Sequence, residues 1–275
     1  MQRFIRTLAG APLTAKLGLA IIALYLFTAV FAPLLAPYGE RAIVGAQYLG
    51  PGPDHWLGTD NLGRDMLSRV IFGARNTVFI ALIATMLAFL IGVVMGFTAA
   101  VSRGLVDQIL SRVVDGIMSI PILIFGLLLL TVFGTSIPVL ITVIAVLEST
   151  RVYRLARAVG MNIVVMDYVE AAYLRGEGTW WIMRHEILPN ALSPLIAEFG
   201  LRFCFVFLFI SALSFLGLGI QPPTADWGSM VRANASLISF GDPTPLIPAA
   251  AIAVLTVAVN FVVDWFLYNV SGLQE

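Results

Sequence analysis

The chain has 275 residues; 12% are charged, 59% belong to the apolar set AVILMFWYC, and the mean hydropathy is +0.94. A soluble domain carries about 25% charged residues and could not cover so apolar a core with so little polar surface, whereas lipid solvates such side chains directly. The net charge of zero and the lack of charge runs exclude a nucleic-acid partner, and Cys204, the single cysteine, excludes an intrachain disulfide and reads as a buried inert thiol. His55 and His185 stand far apart, so no metal-ligand spacing occurs.

Crossing about 30 Å of hydrocarbon takes about 20 apolar residues at 1.5 Å each. The pattern predicts six spans. Leu17–Ala36 is the first; its length, with Pro33 and Pro37 where cleavage would fall, makes it a retained anchor rather than a signal peptide. Thr77–Ala100 is the second, with Gly92 and Gly96 forming a face for close helix contact. The long stretch 117–147 is interrupted at Gly134 to Pro138, and Ser136 suits an N-cap, so it divides into helices near 117–133 and 138–158. Glu148, Arg151 and Arg154 occupy the second half of that fourth helix, which requires an interface or a polar interior there. Leu195–Leu216, opened by Ser193 and Pro194, and Leu246–Leu267 complete the set.

Lys and Arg set the orientation. With the N-terminus inside, ten lie in cytoplasmic segments (Arg3, Arg6, Lys16, Arg103, Arg112, Arg151, Arg154, Arg157, Arg175, Arg184). Five lie outside (Arg41, Arg64, Arg69, Arg75, Arg232), and Arg202 falls near the inner face. Segments 37–76 and 217–245 then face outward and both termini lie inside. There is no repeat and no Ser- or Gly-rich linker. The chain reads as one membrane unit, in which residues 1–72 form a first helix with its outward loop and residues 73–275 form a core.

The segment from Asp167 to Pro189, DYVEAAYLRGEGTWWIMRHEILP, is too polar to cross lipid. A helix over Val169–Leu174, a break at Gly176 and Gly178, and a second helix over Trp180–Ile187 stopped by Pro189 make a compact cytoplasmic knob suited to a groove on another protein. The alternative is a hairpin lying on the membrane surface; Asp167, Glu170, Glu177 and Glu186 disfavour attraction to anionic lipid. The spacing of Glu170-Ala171-Ala172, Gly176 and Ile187-Leu188-Pro189 resembles the EAA loop of bacterial ABC importer permeases. Glu186 stands where that family often has isoleucine. The resemblance implies that the loop, with Tyr168 beside it, docks into a cleft of a separate nucleotide-binding subunit.

Two outward segments narrow the resemblance. His55 to Arg75 reads HWLGTDNLGRDMLSRVIFGAR: a turn at Gly58, Thr59, Asp60 and Gly63, then an amphipathic helix leading into the second span. Asp60, Arg64 and Asp65 could mark a substrate site, but such a set more often locks a loop by mutual pairing. Ser214 to Met230 reads SFLGLGIQPPTADWGSM, with Gly217 and Gly219 ending the fifth span. Both strings resemble the permeases of dipeptide, oligopeptide and nickel importers, in the "C" partner of each pair. Asp264 to Asn269 lacks the arginine of the usual family tail, and nothing is carried over there.

No GxxxxGK[ST] occurs and Lys16 is the only lysine, so a phosphate cradle is missing. Intramembrane enzymes need motifs such as HExxH or GxSxG, which are also missing. An ion-coupled secondary transporter would use Glu148, Glu198 or Asp264, yet all three are expected near the inner ends of their helices, where pairing suffices. The resemblance implies an all-α, six-helix type I importer permease in the bacterial inner membrane, binding no cofactor itself. Its implied partners are a second permease, two ATPases that use ATP and Mg, and an extracytoplasmic solute-binding protein. The substrate would be a peptide, with nickel or another small solute as the alternative.

Overall fold

The computed structural model describes residues 10–270, so Arg3 and Arg6 lie outside the described residues. The described residues form helices and no named strand; two isolated bridges, Ile43 with Arg64 and Thr59 with Asp65, are the only sheet-like pairings among them. We number the helices α1 (Leu13–Leu35), α2 (Met66–Ser102), α3 (Gly104–Met118), α4 (Ile122–Phe133), α5 (Ile137–Val164), α6 (Asp167–Leu174), α7 (Thr179–Leu216), α8 (Trp227–Asn234) and α9 (Leu246–Val270).

Four of these, α1, α2, α7 and α9, are long and apolar enough to cross a membrane. A fifth crossing arises if α3 and α4, bent by 89° at their junction, count as one. The expected helix over 117–133 is therefore corrected. Pro121 cannot continue a helix from α3, so α4 begins only at Ile122 and has 12 residues, too few to span alone. The amphipathic helix expected before the second span is not separate: α2 runs unbroken for 37 residues, started by the Asp65 carboxylate, which accepts from the Ser68 amide at 2.8 Å. It passes through residue 72.

Helix α5 reaches Val164 rather than ending near 158. Ser136 sits at its N-cap position without a side-chain cap bond, and Pro138 lies in its first turn. Its packing on α2 uses the glycine face anticipated from sequence. A Cβ on Gly92 would lie 2.6 Å from Val152 Cβ, and one on Gly96 would lie 2.7 Å from Ala156 Cβ, so only glycine permits this approach. Gly160 then meets Ala100. Numbers rise together on both helices, so α2 and α5 run parallel. The chain between them must therefore return from the end of α2 to the level where α2 began. α3 lies against the C-terminal halves of α2 and α5, where Tyr153 and Ser111 hydroxyls meet at 2.8 Å and Arg157 donates to Asp107. α4 carries the chain back.

Proline does not stop α7. Its π-helical turn over Met183–Ile187 has the Leu188 amide donating to the Met183 carbonyl. Pro189 falls where hydrogen bonding shifts back to the α pattern, so its missing N–H breaks no regular bond. The second short helix of the knob is thus the start of the long α7, and Ser193-Pro194 lies inside it rather than opening it.

Candidate functional site

At the C-terminal ends of α2 and α5 the segment 165–182 forms the knob. Asp167 and Glu170 occupy the first turn of α6, where carboxylates favour the helix dipole. The helix closes with the Gly176 amide donating to Tyr173 O at 2.9 Å and the Glu177 amide to Ala172 O at 3.2 Å. This double closure needs a left-handed residue, and Gly176 supplies it at φ +83°.

The motif residues divide between two faces. Ala172 and Ile187 are buried with Val169, Ile182 and Met183 against Phe97, Ala100, Ala156 and Ile163, which fixes the knob to the long helices. Leu188 packs at the edge of that cluster. Tyr168, Glu170, Ala171, Gly176 and Pro189 are exposed, as are Tyr173, Leu174 (83%) and Trp180 (63%). Apolar side chains are thus bared here beside a carboxylate. A groove of about 550 Å³ adjoins it, lined by Val101, Arg103, Val164, Val165, Glu170 and Tyr173. Partial burial of its ring raises the Tyr173 phenol pKa. On the α7 side Trp181 stacks on His185 at 4.6 Å, and Arg175 lies 3.7 Å from Glu186.

At the other end of the bundle the two long loops interlock. Asp60 accepts from the Arg64 side chain at 2.7 Å and lies 3.3 Å from Arg69, while its other oxygen accepts from the Leu62 and Arg64 amides. Thr59 donates to Ala46 O and accepts from the Leu49 amide; Asp65 caps α2 and meets His55 at 3.1 Å. Gly58 and Gly63 turn at φ +74° and +76°. All six motif residues thus belong to one paired loop. Glu40 accepts from Asn76, and Arg69 donates to Glu40 O and Pro223 O, tying this loop to residues 217–245. There the Asp226 carboxylate caps α8, accepts from Thr77 at 3.0 Å, and is fully buried, which pushes its pKa up. Trp227 donates to Val70 O and lies edge-on to Tyr25 and Phe207.

Between the ends lies a charged group that sequence spacing placed elsewhere. Glu148 and Arg151 are the twelfth and fifteenth of the 28 residues of α5, near its middle rather than at its inner end, because the helix continues to Val164. Arg202 of α7 donates to Glu148 at 3.4 Å and pairs with Glu198 at 2.7 Å, with its guanidinium 4.5 Å from the Phe205 ring. Sequence gave the i,i+4 pair of Glu198 and Arg202 but not their link to Glu148. Asp264, the third carboxylate considered, is exposed on α9. Among the described residues no group of His, Cys, Asp and Glu is placed to hold a metal ion.

Comparison with known proteins bears on both ends. The family described as "Binding-protein-dependent transport system inner membrane component" matches residues 88–272. The probable D,D-dipeptide transport system permease protein DdpC of Escherichia coli (strain K12) is 34% identical over 258 residues, 94% of this chain and 86% of its own. The dipeptide transport system permease protein DppC of the same strain is 36% identical, covering 91% and 86%; that of Bacillus subtilis (strain 168) is 34% identical, covering 95% and 80%. The crystal structure of an amino acid ABC transporter with histidines aligns at TM-score 0.51 and 24% identity, over 74% of this chain and 94% of that one, a likeness of fold.

Proposed function

The chain belongs to the family of inner membrane components of binding-protein-dependent transport systems, as an ABC importer permease of the peptide group, and on that premise we propose that it forms half of a peptide pore driven by separate ATPases through the knob at 168–189. The observation that carries this reading is the division of the Glu-Ala-Ala, Gly and Leu-Pro motif. One half is buried as an anchor on α2, α5 and α7, and the other half is bared beside a groove. A lever needs both parts: a rigid root in the moving helices and a surface for the part that pushes. ATP-driven closure of two ATPases would push the knob and rotate the bundle between outward and inward access.

The substrate proposed is a di- or oligopeptide, supported by the relatives' names. The partners proposed are one homologous permease, two ATPases that hold ATP and Mg, and a solute-binding protein received by the interlocked outer loops. The six-crossing path with both termini cytoplasmic is supported by the parallel run of α2 and α5. On this reading α3–α4 is a crossing rather than a re-entrant loop, and α5 is a charged span. Residues 1–72 remain the proposed N-terminal arm and 73–275 the core.

The test is reconstitution. Alone in liposomes the chain should neither hydrolyse ATP nor accumulate peptide; with the second permease, the ATPases and the binding protein both should appear. Peptide accumulation by the lone chain on a proton or sodium gradient would replace this reading with ion-coupled transport.

A further inference from the structure

Arginine in the middle of a membrane helix is costly unless it faces a polar cavity or an acceptor. On the six-crossing path proposed above, Arg151 is such a residue. It sits halfway along α5 and is exposed, and among the described residues it pairs with no carboxylate. Its neighbours are otherwise settled. Arg154, one turn on, pairs with Asp115 at 2.7 Å, and Glu148, one turn back, accepts from Arg202. Arg151 stays within electrostatic reach of Glu148 and 5.9 Å from the Phe205 ring, but the five donors of its guanidinium have no acceptor.

The same guanidinium lines a cleft of about 170 Å³ with Ile117, Pro121, Ile122 and Thr150. The cleft exists because Pro121 breaks the chain between α3 and α4 and the two helices part by 89°. At about 30 Å³ per water it holds roughly six waters, room for the end of a chain rather than a whole oligopeptide. Its walls are apolar apart from Arg151 and Thr150.

We propose that Arg151, in the cleft opened by the α3–α4 bend, takes the terminal carboxylate of the peptide during its passage. A planar guanidinium with free donors in an otherwise apolar cleft suits a carboxylate, which it can hold through two parallel bonds. Every free peptide carries that group whatever its side chains, so one cation serves a broad substrate range. The assignment rests on the peptide-import reading above.

The experiment uses the complete importer in proteoliposomes, with the binding protein saturated with a dipeptide so that its own affinity is not read. Arg151→Gln should lower the maximal uptake rate about tenfold or more, and Arg151→Lys should recover a substantial share. A wild-type rate in Arg151→Gln would overturn the proposal. Should Arg151→Gln fail to co-purify with the ATPases, Arg151→Cys on a Cys204→Ser background is treated with dipeptides bearing a thiol-reactive group at either end. Preferential labelling by the C-terminal reagent is expected; equal labelling, or none, sinks the assignment. A wild-type importer that takes up no dipeptide speaks against the peptide reading itself and is seen before any variant is made.

Discussion

Glu148 of α5 and Arg202 of α7, 54 positions apart in sequence, meet at 3.4 Å in the interior of the helix bundle, both buried. Their pairing lets a charged helix stand among apolar ones, since each shields the other from a medium that would not solvate it. Removing one partner leaves the other buried and uncompensated, a loss of about 3–5 kcal/mol. Arg202→Met should therefore lower the thermal midpoint of the purified complex clearly, and adding Glu148→Gln should restore part of it. Equal midpoints for wild type and Arg202→Met would mean the pair contributes nothing.

The contact of α2 with α5 depends on Gly92 and Gly96. Leucine at position 92 would drive its Cβ into Val152 and part the helices, at a cost of about 1–3 kcal/mol. Gly92→Leu should lower the thermal midpoint and raise protease sensitivity in detergent, whereas Gly116→Leu, where a Cβ meets nothing within 4 Å, should do neither.

At the knob, Gly176→Val forces a β-branched residue to φ +83°, costing about 1–2 kcal/mol or more in a left-handed conformation. Membrane insertion should be unchanged while transport-linked ATP hydrolysis falls severalfold. Glu170→Ala, on the exposed face, should weaken ATPase co-purification without loss of folding. Normal transport by both variants would remove the knob from the coupling path.

The outer loops carry a pH signature. Burial raises the Asp226 carboxyl above its ordinary value of about 3.9, so the folded protein binds its proton more tightly than the unfolded chain does. Stability of this layer is thus greatest at low pH and declines as pH rises from the ordinary Asp value through the raised one, levelling off above it. Asp226→Asn keeps a cap oxygen and should flatten that decline. Hydrogen exchange of residues 217–245 at stepped pH reads it; an unaltered pH profile in Asp226→Asn would assign the decline to other groups.

Orientation is testable at Gly52, exposed with open space around it. Gly52→Cys in a Cys204→Ser background should react with an impermeant thiol reagent from outside intact cells. Reaction only from the cytoplasmic side would invert the whole topology.

The sequence by itself determined the solvent class, the all-helical fold and four of the long apolar helices, because these are local properties. Hydropathy over about 20 residues, the breaks at Gly134 and Gly176, and the Glu-Ala-Ala to Leu-Pro spacing are written along the chain. Even the glycine face of α2 was legible as a pattern, though its partner was not. Only the tertiary structure decided where the charges lie and which prolines break. Pro121 bends the chain by 89°, whereas Pro189, just after a π turn, and Pro194 both lie inside α7. Glu148 and Arg151 read from sequence as lying toward a helix end; α5 continues past them to Val164, and Arg202, on a helix far along the chain, pairs with Glu148. The energy of a charge in a membrane depends on what faces it across space, and spacing along one helix does not carry that information.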